Sequence, residues 1–142
     1  MANSLALVGC TIFVILALWH FYWAFGGSVG KSAAVPEIDG APAFTPSAVA
    51  TIFVGIVLLL FALLLVATSG FVAVPVPASI LVWLCYGLAA VLLARAIGEF
   101  RLVGFFKRVR GSVFARLDSW FYSPLCLVLS GIAYVVGRGS VA

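Results

Sequence analysis

Residues 45–98 read TPSAVATIFVGIVLLLFALLLVATSGFVAVPVPASILVWLCYGLAAVLLARAIG. Two apolar runs, each near the roughly 20 residues that cross a bilayer as a helix, flank Val74-Pro75-Val76-Pro77. No Asp, Glu, Lys or Arg occurs from Pro46 to Ala94. Thr45 suits an N-cap and Pro46 a first helical position, where no N–H is needed. The run from Val49 to Val66 continues that helix, and Ser69-Gly70 stops it. Pro77 opens a second helix from Ala78 to about Gly98. The proline-rich turn is too short for anything but an antiparallel hairpin of two spans.

Working outward, residues 5–25 predict a further span. It ends in Trp19-His20-Phe21-Tyr22-Trp23, the kind of amphipathic aromatic cluster that collects at headgroup level. No Lys or Arg precedes this run, which continues past the length of a cleavable leader, so it is expected to stay as the first span. Residues 119–137 predict the last span, with Pro124 inside it. Proline removes one helix hydrogen bond and crowds the carbonyl of Trp120, so a kink or interfacial turn is expected over 118–123. The expected architecture is all-α: a single transmembrane domain over 1–142, an integral membrane four-helix bundle with up-down-up-down topology. Its spans are about 5–25, 46–67, 78–98 and 119–137.

Composition agrees. Of 142 residues, 65% are hydrophobic and 8% charged, and the mean hydropathy is +1.31. Soluble domains carry about 25% charged residues. Twelve formal charges cannot solvate a globule of this size, which excludes an ordinary soluble enzyme, a disordered chain and a nucleic-acid-binding domain. Five of the eight basic residues lie from Arg101 to Arg116. The positive-inside rule makes 99–118 a basic cytoplasmic loop. The loop of residues 26–45, which carries Lys31, is then cytoplasmic too, and both termini lie outside. The density of Gly and Pro in 26–45 predicts irregular structure. Phe106, Val109, Val113 and Leu117 recur at helical spacing, so part of 99–118 is expected to lie flat as a helix in the headgroup zone, although Gly104 and Gly111 oppose this.

The polar residues of this apolar chain gather at one end. His20 closes span one, Arg95 and Glu99 close span three, and Asp118 opens span four with Tyr122 a turn later. Ionisable groups at membrane depth are costly, so each is a candidate site residue. Arg95 and Glu99 stand at i and i+4 and can pair; the bland reading is a structural ion pair, the functional one an anion clamp built on the guanidinium fork. Asp118 either caps span four or pairs with Arg101, Lys107 or Arg116. His20 is either an interfacial aromatic or a ligand contact and proton shuttle. His20, Arg95, Glu99, Arg101, Lys107, Asp118 and Tyr122 are expected to converge as one ligand-binding cluster, with His20 and Glu99 the candidates for acid–base catalysis.

Other patterns carry less. Gly26-Gly27-Ser28-Val29-Gly30-Lys31-Ser32 imitates a phosphate loop, but Phe25 stands where the first glycine belongs and a membrane helix, not a strand, precedes it. No nucleotide site is expected there. Cys10, Cys85 and Cys126 sit in apolar runs without metal-binding spacing, and the single histidine allows neither a paired-histidine haem nor a zinc cluster. No cofactor or metal is expected.

Three sets of residues carry a family resemblance. They are His20-Phe21-Tyr22-Trp23-Ala24-Phe25-Gly26-Gly27; Arg95-Ala96-Ile97-Gly98-Glu99-Phe100-Arg101 with Gly104-Phe105-Phe106-Lys107; and Phe114-Ala115, Asp118 and Tyr122-Ser123-Pro124-Leu125-Cys126. In this order they resemble the domain of unknown function 3995 family of small four-span bacterial membrane proteins. Val29 departs from the pattern, which has an aromatic after the paired glycines. The resemblance implies a four-helix fold in the bacterial inner membrane and supplies no reaction.

The function expected from these readings is a membrane binding module, standing alone or as an accessory subunit. It would hold an anionic lipid headgroup or small anionic molecule at the cytoplasmic end of the bundle. The alternatives are a membrane enzyme on a lipid or isoprenoid-like substrate, with His20 and Glu99 as acid and base and Arg95 stabilising negative charge, and a small transporter component. Membrane lipids with anionic headgroups are the expected partners. A homo-oligomer or larger membrane complex is compatible with the chain; nucleic acid is not.

Overall fold

The computed structural model describes residues 1–98 and 102–140. Four helical runs are long and apolar enough to cross a membrane. They are α1 (Ala2–Ala24), α3 (Ala48–Thr68), α4 (Ala78–Ile97) and the continuous stretch Val113–Gly139. The last is built from α5 (Val113–Leu117), a π-helical turn (Asp118–Tyr122) and α6 (Ser123–Gly139). α1 packs on α3 and α4 on α6, and contacts of α1 with α6 and of α3 with α4 close the ring. Successive spans reverse direction, so neighbours around the ring are antiparallel.

The bundle buries small residues and turns large ones outward. The inner face of α1 is Ala6, Gly9, Phe13 and Ala17, at the three- and four-residue spacing of one helical stripe. Gly9 sits at the bundle centre, where an added Cβ would lie 2.6 Å from Leu65 Cδ1 and 3.0 Å from Ile132 Cγ2. Close approach through small residues is how helices gain contact in lipid, where no hydrophobic effect drives them together. Leu65, Cys85, Leu129, Ala133 and Val136 complete the core, while Ile15, Phe53, Leu60, Trp83 and Val91 are exposed around the perimeter. Two polar side chains stitch spans at depth: Ser130 Oγ donates to Ala89 O at 2.7 Å, and Thr68 Oγ1 meets Cys85 Sγ at 3.3 Å.

Several local readings are refined. The cap of α3 is Ser47 rather than Thr45: Ser47 Oγ accepts from Ala50 N–H at 3.1 Å, so the helix starts two residues later than expected. The first loop is less irregular than its composition. It holds a short helix α2 (Lys31–Ala34) and a two-stranded hairpin, β1 (Glu37–Ile38) with β2 (Ala41–Pro42). Asp39 and Gly40 both have positive φ, 53° and 80°, as a tight type I′ turn demands. The separate flat helix expected within 99–118 does not form among the described residues; the helical piece there, α5, is the start of the fourth span. Gly104 and Gly111 take φ of 89° and 106°, outside helical space, and break the segment into turns before Ser112 caps α5.

The fourth span resolves the Pro124 question. The helix neither ends nor restarts there. It widens, with Ser123 N–H reaching back five residues to Asp118 O. Pro124 has no N–H for Trp120 O, so the ladder is already interrupted, and the π turn absorbs the defect. The wider turn puts Asp118 and Ser123 both in the interior, each fully buried.

Candidate functional site

All the charged site residues that the structure describes lie at the end of the bundle formed by the first loop and residues 102–112. Asp118 is the centre of one cluster. Its carboxylate is wholly buried and accepts three hydrogen bonds from the described residues. Arg95 Nη2 donates to Oδ1 at 2.8 Å, and Gly104 N–H and Lys107 Nζ donate to Oδ2 at 2.7 Å and 2.9 Å. Lys107 is 2% exposed and also donates to Gly104 O at 3.1 Å and Ser119 Oγ at 2.7 Å. All three protons of the ammonium therefore have acceptors.

Local backbone makes this cage. The left-handed Gly104 turns its N–H toward Asp118, and it packs against Gly98 and the Ile97 carbonyl so tightly that no Cβ fits. Phe105 N–H then bonds Ala96 O at 3.0 Å, which pins the loop to the end of α4. The cage thus clasps α4, the loop and the fourth span together through one carboxylate. Charge burial of this kind is tolerable only when every partner is present.

A second site lies under the first loop. A cleft of about 530 Å³ is bounded by α1, α2 and the start of α3. His20 and Lys31 supply its charge-bearing groups, Thr45, Ser47 and Thr51 its hydroxyls, and Trp23, Phe44, Ala50 and Val54 its apolar wall. His20 Nδ1 lies 2.7 Å from Leu16 O. A carbonyl only accepts, so Nδ1 carries the hydrogen and Nε2 is left for a ligand. The ring is also braced edge-on by Trp23, with centroids 5.3 Å apart. Among the described residues Lys31 forms no ion pair.

The expected cluster therefore divides. Arg95, Lys107 and Asp118 come together. Arg95 pairs with Asp118, 23 positions away, and Asp118 does not cap its helix, because Ser112 holds that role for α5. His20 faces α3 and the cleft. Tyr122 joins neither set directly: its hydroxyl donates to Ala33 O at 3.0 Å and its ring packs on Phe114, tying α2 to the fourth span. Glu99 and Arg101 lie outside the described residues. Sequence reasoning passed over Gly104, Ser119 and Ser123. A backbone N–H leaves no residue-type signal, and two serines in an apolar helix read as ordinary small residues.

Exposed aromatics ring this end. Phe25 is 82% and Trp120 85% exposed, and Phe106 and Phe121 also face outward. Arg108, Arg110 and Arg116 are exposed in the same zone. Aromatic and basic side chains together mark a membrane–water interface.

The fold and this belt define the class: a multi-pass helical membrane protein with a polar, basic end. Within that class the chain matches, over residues 13–133, the family described as Protein of unknown function (DUF3995), and it belongs to that family. No curated protein and no solved structure matches it.

Proposed function

We propose that the protein is a binding module of the bacterial inner membrane that receives an anionic amphiphile in the cleft under its first loop. The observation that carries this reading is the cleft itself. One wall is apolar and borders the span surface, and its polar lining presents Lys31 and the open edge of His20. A headgroup carboxylate or phosphate would meet the ammonium and the imidazole, and a hydrocarbon chain would lie along Trp23, Ala50 and Val54. The basic loops support a cytoplasmic placement of this end, with both termini outside.

The Asp118 cage supports a structural role beside it. A carboxylate that accepts from three donors, two of them cationic, is held as the anion and is poorly suited to proton transfer, and among the described residues every proton of Lys107 is already engaged. His20 keeps the second reading alive. A membrane enzyme on a lipid or isoprenoid-like substrate would use its Nε2 as acid or base.

The test is native mass spectrometry from nanodiscs of phosphatidylglycerol and phosphatidylethanolamine. The parent is expected to retain a selected anionic lipid or metabolite that Lys31→Ala and the cleft-filling Ala50→Phe both lose. Equal retention by all three proteins sinks the reading. Turnover of a retained lipid that His20→Ala abolishes without loss of binding would move the conclusion to the enzyme.

A further inference from the structure

A second, smaller hollow of about 200 Å³ adjoins the cleft, between α2 and the β1–β2 hairpin. Lys31, Val35, Phe44, Thr45 and Pro46 line both spaces, so the two meet along these residues. His20 lines the cleft, and Glu37 lines the hollow. Passing from the cleft through Lys31 into the hollow, the polar lining therefore changes from cationic to anionic.

Backbone holds Glu37 in place. β1 and β2 pair with Glu37 opposite Pro42 and Ile38 opposite Ala41, the Asp39-Gly40 turn closes them, and Ala43 N–H bonds Pro36 O at 2.8 Å at the base. Glu37 is half-buried, yet among the described residues it accepts no hydrogen bond and forms no ion pair, with Lys31 or any other cation. A partly desolvated carboxylate without a donor is an unmet acceptor, and a cationic donor answers it best. A ligand whose anionic group occupies Lys31 keeps that ammonium for itself. Glu37 must then be answered by the ligand. A headgroup carrying only negative charge would bring a like charge toward the carboxylate, so Glu37 also acts against such a headgroup.

We propose that the amphiphile carries an ammonium group beside its anionic group, and that its headgroup spans both spaces. The anion meets Lys31 and His20 in the cleft, and the ammonium meets Glu37 in the hollow. The ligand class is an anionic lipid with a primary amine in its headgroup. This inference rests on the cleft reading above and adds to it a choice among anionic headgroups.

Native mass spectrometry from nanodiscs of equimolar phosphatidylserine and phosphatidylglycerol, with identical acyl chains, tests it. Each lipid carries a single net negative charge, so general attraction to the basic end is matched and the headgroup chemistry differs. The parent is expected to retain phosphatidylserine over phosphatidylglycerol by roughly tenfold, the worth of one charge-assisted hydrogen bond. Glu37→Gln keeps the shape of the side chain and removes its charge. It is expected to bring the two lipids to parity by losing phosphatidylserine while keeping phosphatidylglycerol. Glu37→Lys is expected to reverse the preference. Both changes fall on a surface hairpin and should leave Tm near that of the parent. Equal retention of the two lipids by the parent, or a phosphatidylserine preference that Glu37→Gln leaves intact, overturns this inference and leaves the cleft reading standing. Retention of neither lipid, or of both undiminished in Lys31→Ala, overturns the cleft reading and this inference with it.

Discussion

Two polar regions lie at the same end of the bundle and treat charge in opposite ways. Around Asp118 the chain spends its donors on itself: three reach one buried carboxylate, and Lys107 gives its remaining protons to Gly104 O and Ser119 Oγ. Under the first loop it leaves Lys31 and His20 lining a cleft of about 530 Å³. The difference teaches that ionisable residues at membrane depth do not all report one site. Those whose capacity is consumed hold spans together, and those with spare capacity are where the proposed ligand would bind.

The largest expected effect tests the closed region. Asp118→Ala leaves Arg95 and the nearly inaccessible Lys107 without their carboxylate, and breaking one side of a buried pair typically costs about 3–5 kcal/mol. A large fall in Tm, or failure to accumulate in the membrane, is expected. A variant of parental stability would show that the cage is not what closes this end. Gly104→Ala should follow. Alanine must take a φ of 89° with the Ile97 carbonyl in its path, a strain of about 1–3 kcal/mol. The same change disturbs the N–H that Asp118 accepts, so hydrogen exchange of residues 102–112 should rise along with the loss in Tm. Exchange confined to the site of mutation would separate the loop from the cage.

Much of this end was legible in the chain, and the limits have physical causes. Uninterrupted apolar runs locate the spans because lipid tolerates little else, and proline and glycine mark their ends. The cap of α3 slipped by two residues because Thr45-Pro46 and Ser47 are both chemically adequate starts, and only geometry shows which oxygen meets Ala50 N–H. Arg95, Lys107 and Asp118 could be picked out by depth and charge. Lys107 was among the expected partners of Asp118, but the Arg95–Asp118 pair was not, since a local i,i+4 partner for Arg95 is visible in sequence and a tertiary partner 23 positions away is not. His20 was assigned to the wrong neighbours for a related reason. α1 is apolar on every side, so no moment reveals which way it is rotated, and the small stripe of Ala6, Gly9, Phe13 and Ala17 decides the matter only once α3 and α6 are in place. The π turn left one trace, Pro124, which announces a defect in the ladder without saying how the helix repairs it.

Tyr122 connects the two regions and predicts a smaller effect. Its hydroxyl bonds Ala33 O, so the fourth span that carries the cage also holds down α2, the roof of the cleft. Tyr122→Phe removes that bond and keeps the ring on Phe114, a loss of about 0.5–1.5 kcal/mol. Faster hydrogen exchange at residues 31–35, with the 102–112 loop unchanged, is the expected pattern. Coupled loosening of both loops would mean that the regions are one cooperative unit.

The smallest effect on stability carries the sharpest test of the comparison. Lys31 is exposed and unpaired among the described residues, so Lys31→Ala should leave the unfolding free energy within about 0.5 kcal/mol of the parent and Tm nearly unchanged. If the cleft receives an anionic headgroup, the same variant loses a charge-assisted hydrogen bond worth about 1.5–3 kcal/mol, and occupancy by the selected lipid should weaken at least tenfold. Lys107→Ala should do the reverse. It takes one of two cations from a buried carboxylate, so the protein melts earlier, while the cleft and its ligand are untouched at temperatures where the chain is folded. Measuring Tm and nanodisc occupancy on both lysine variants gives a two-by-two outcome. Crossed effects establish that one lysine serves structure and the other binding. Parallel loss of stability and ligand in both would join the cage and the cleft into a single site, as the sequence first suggested.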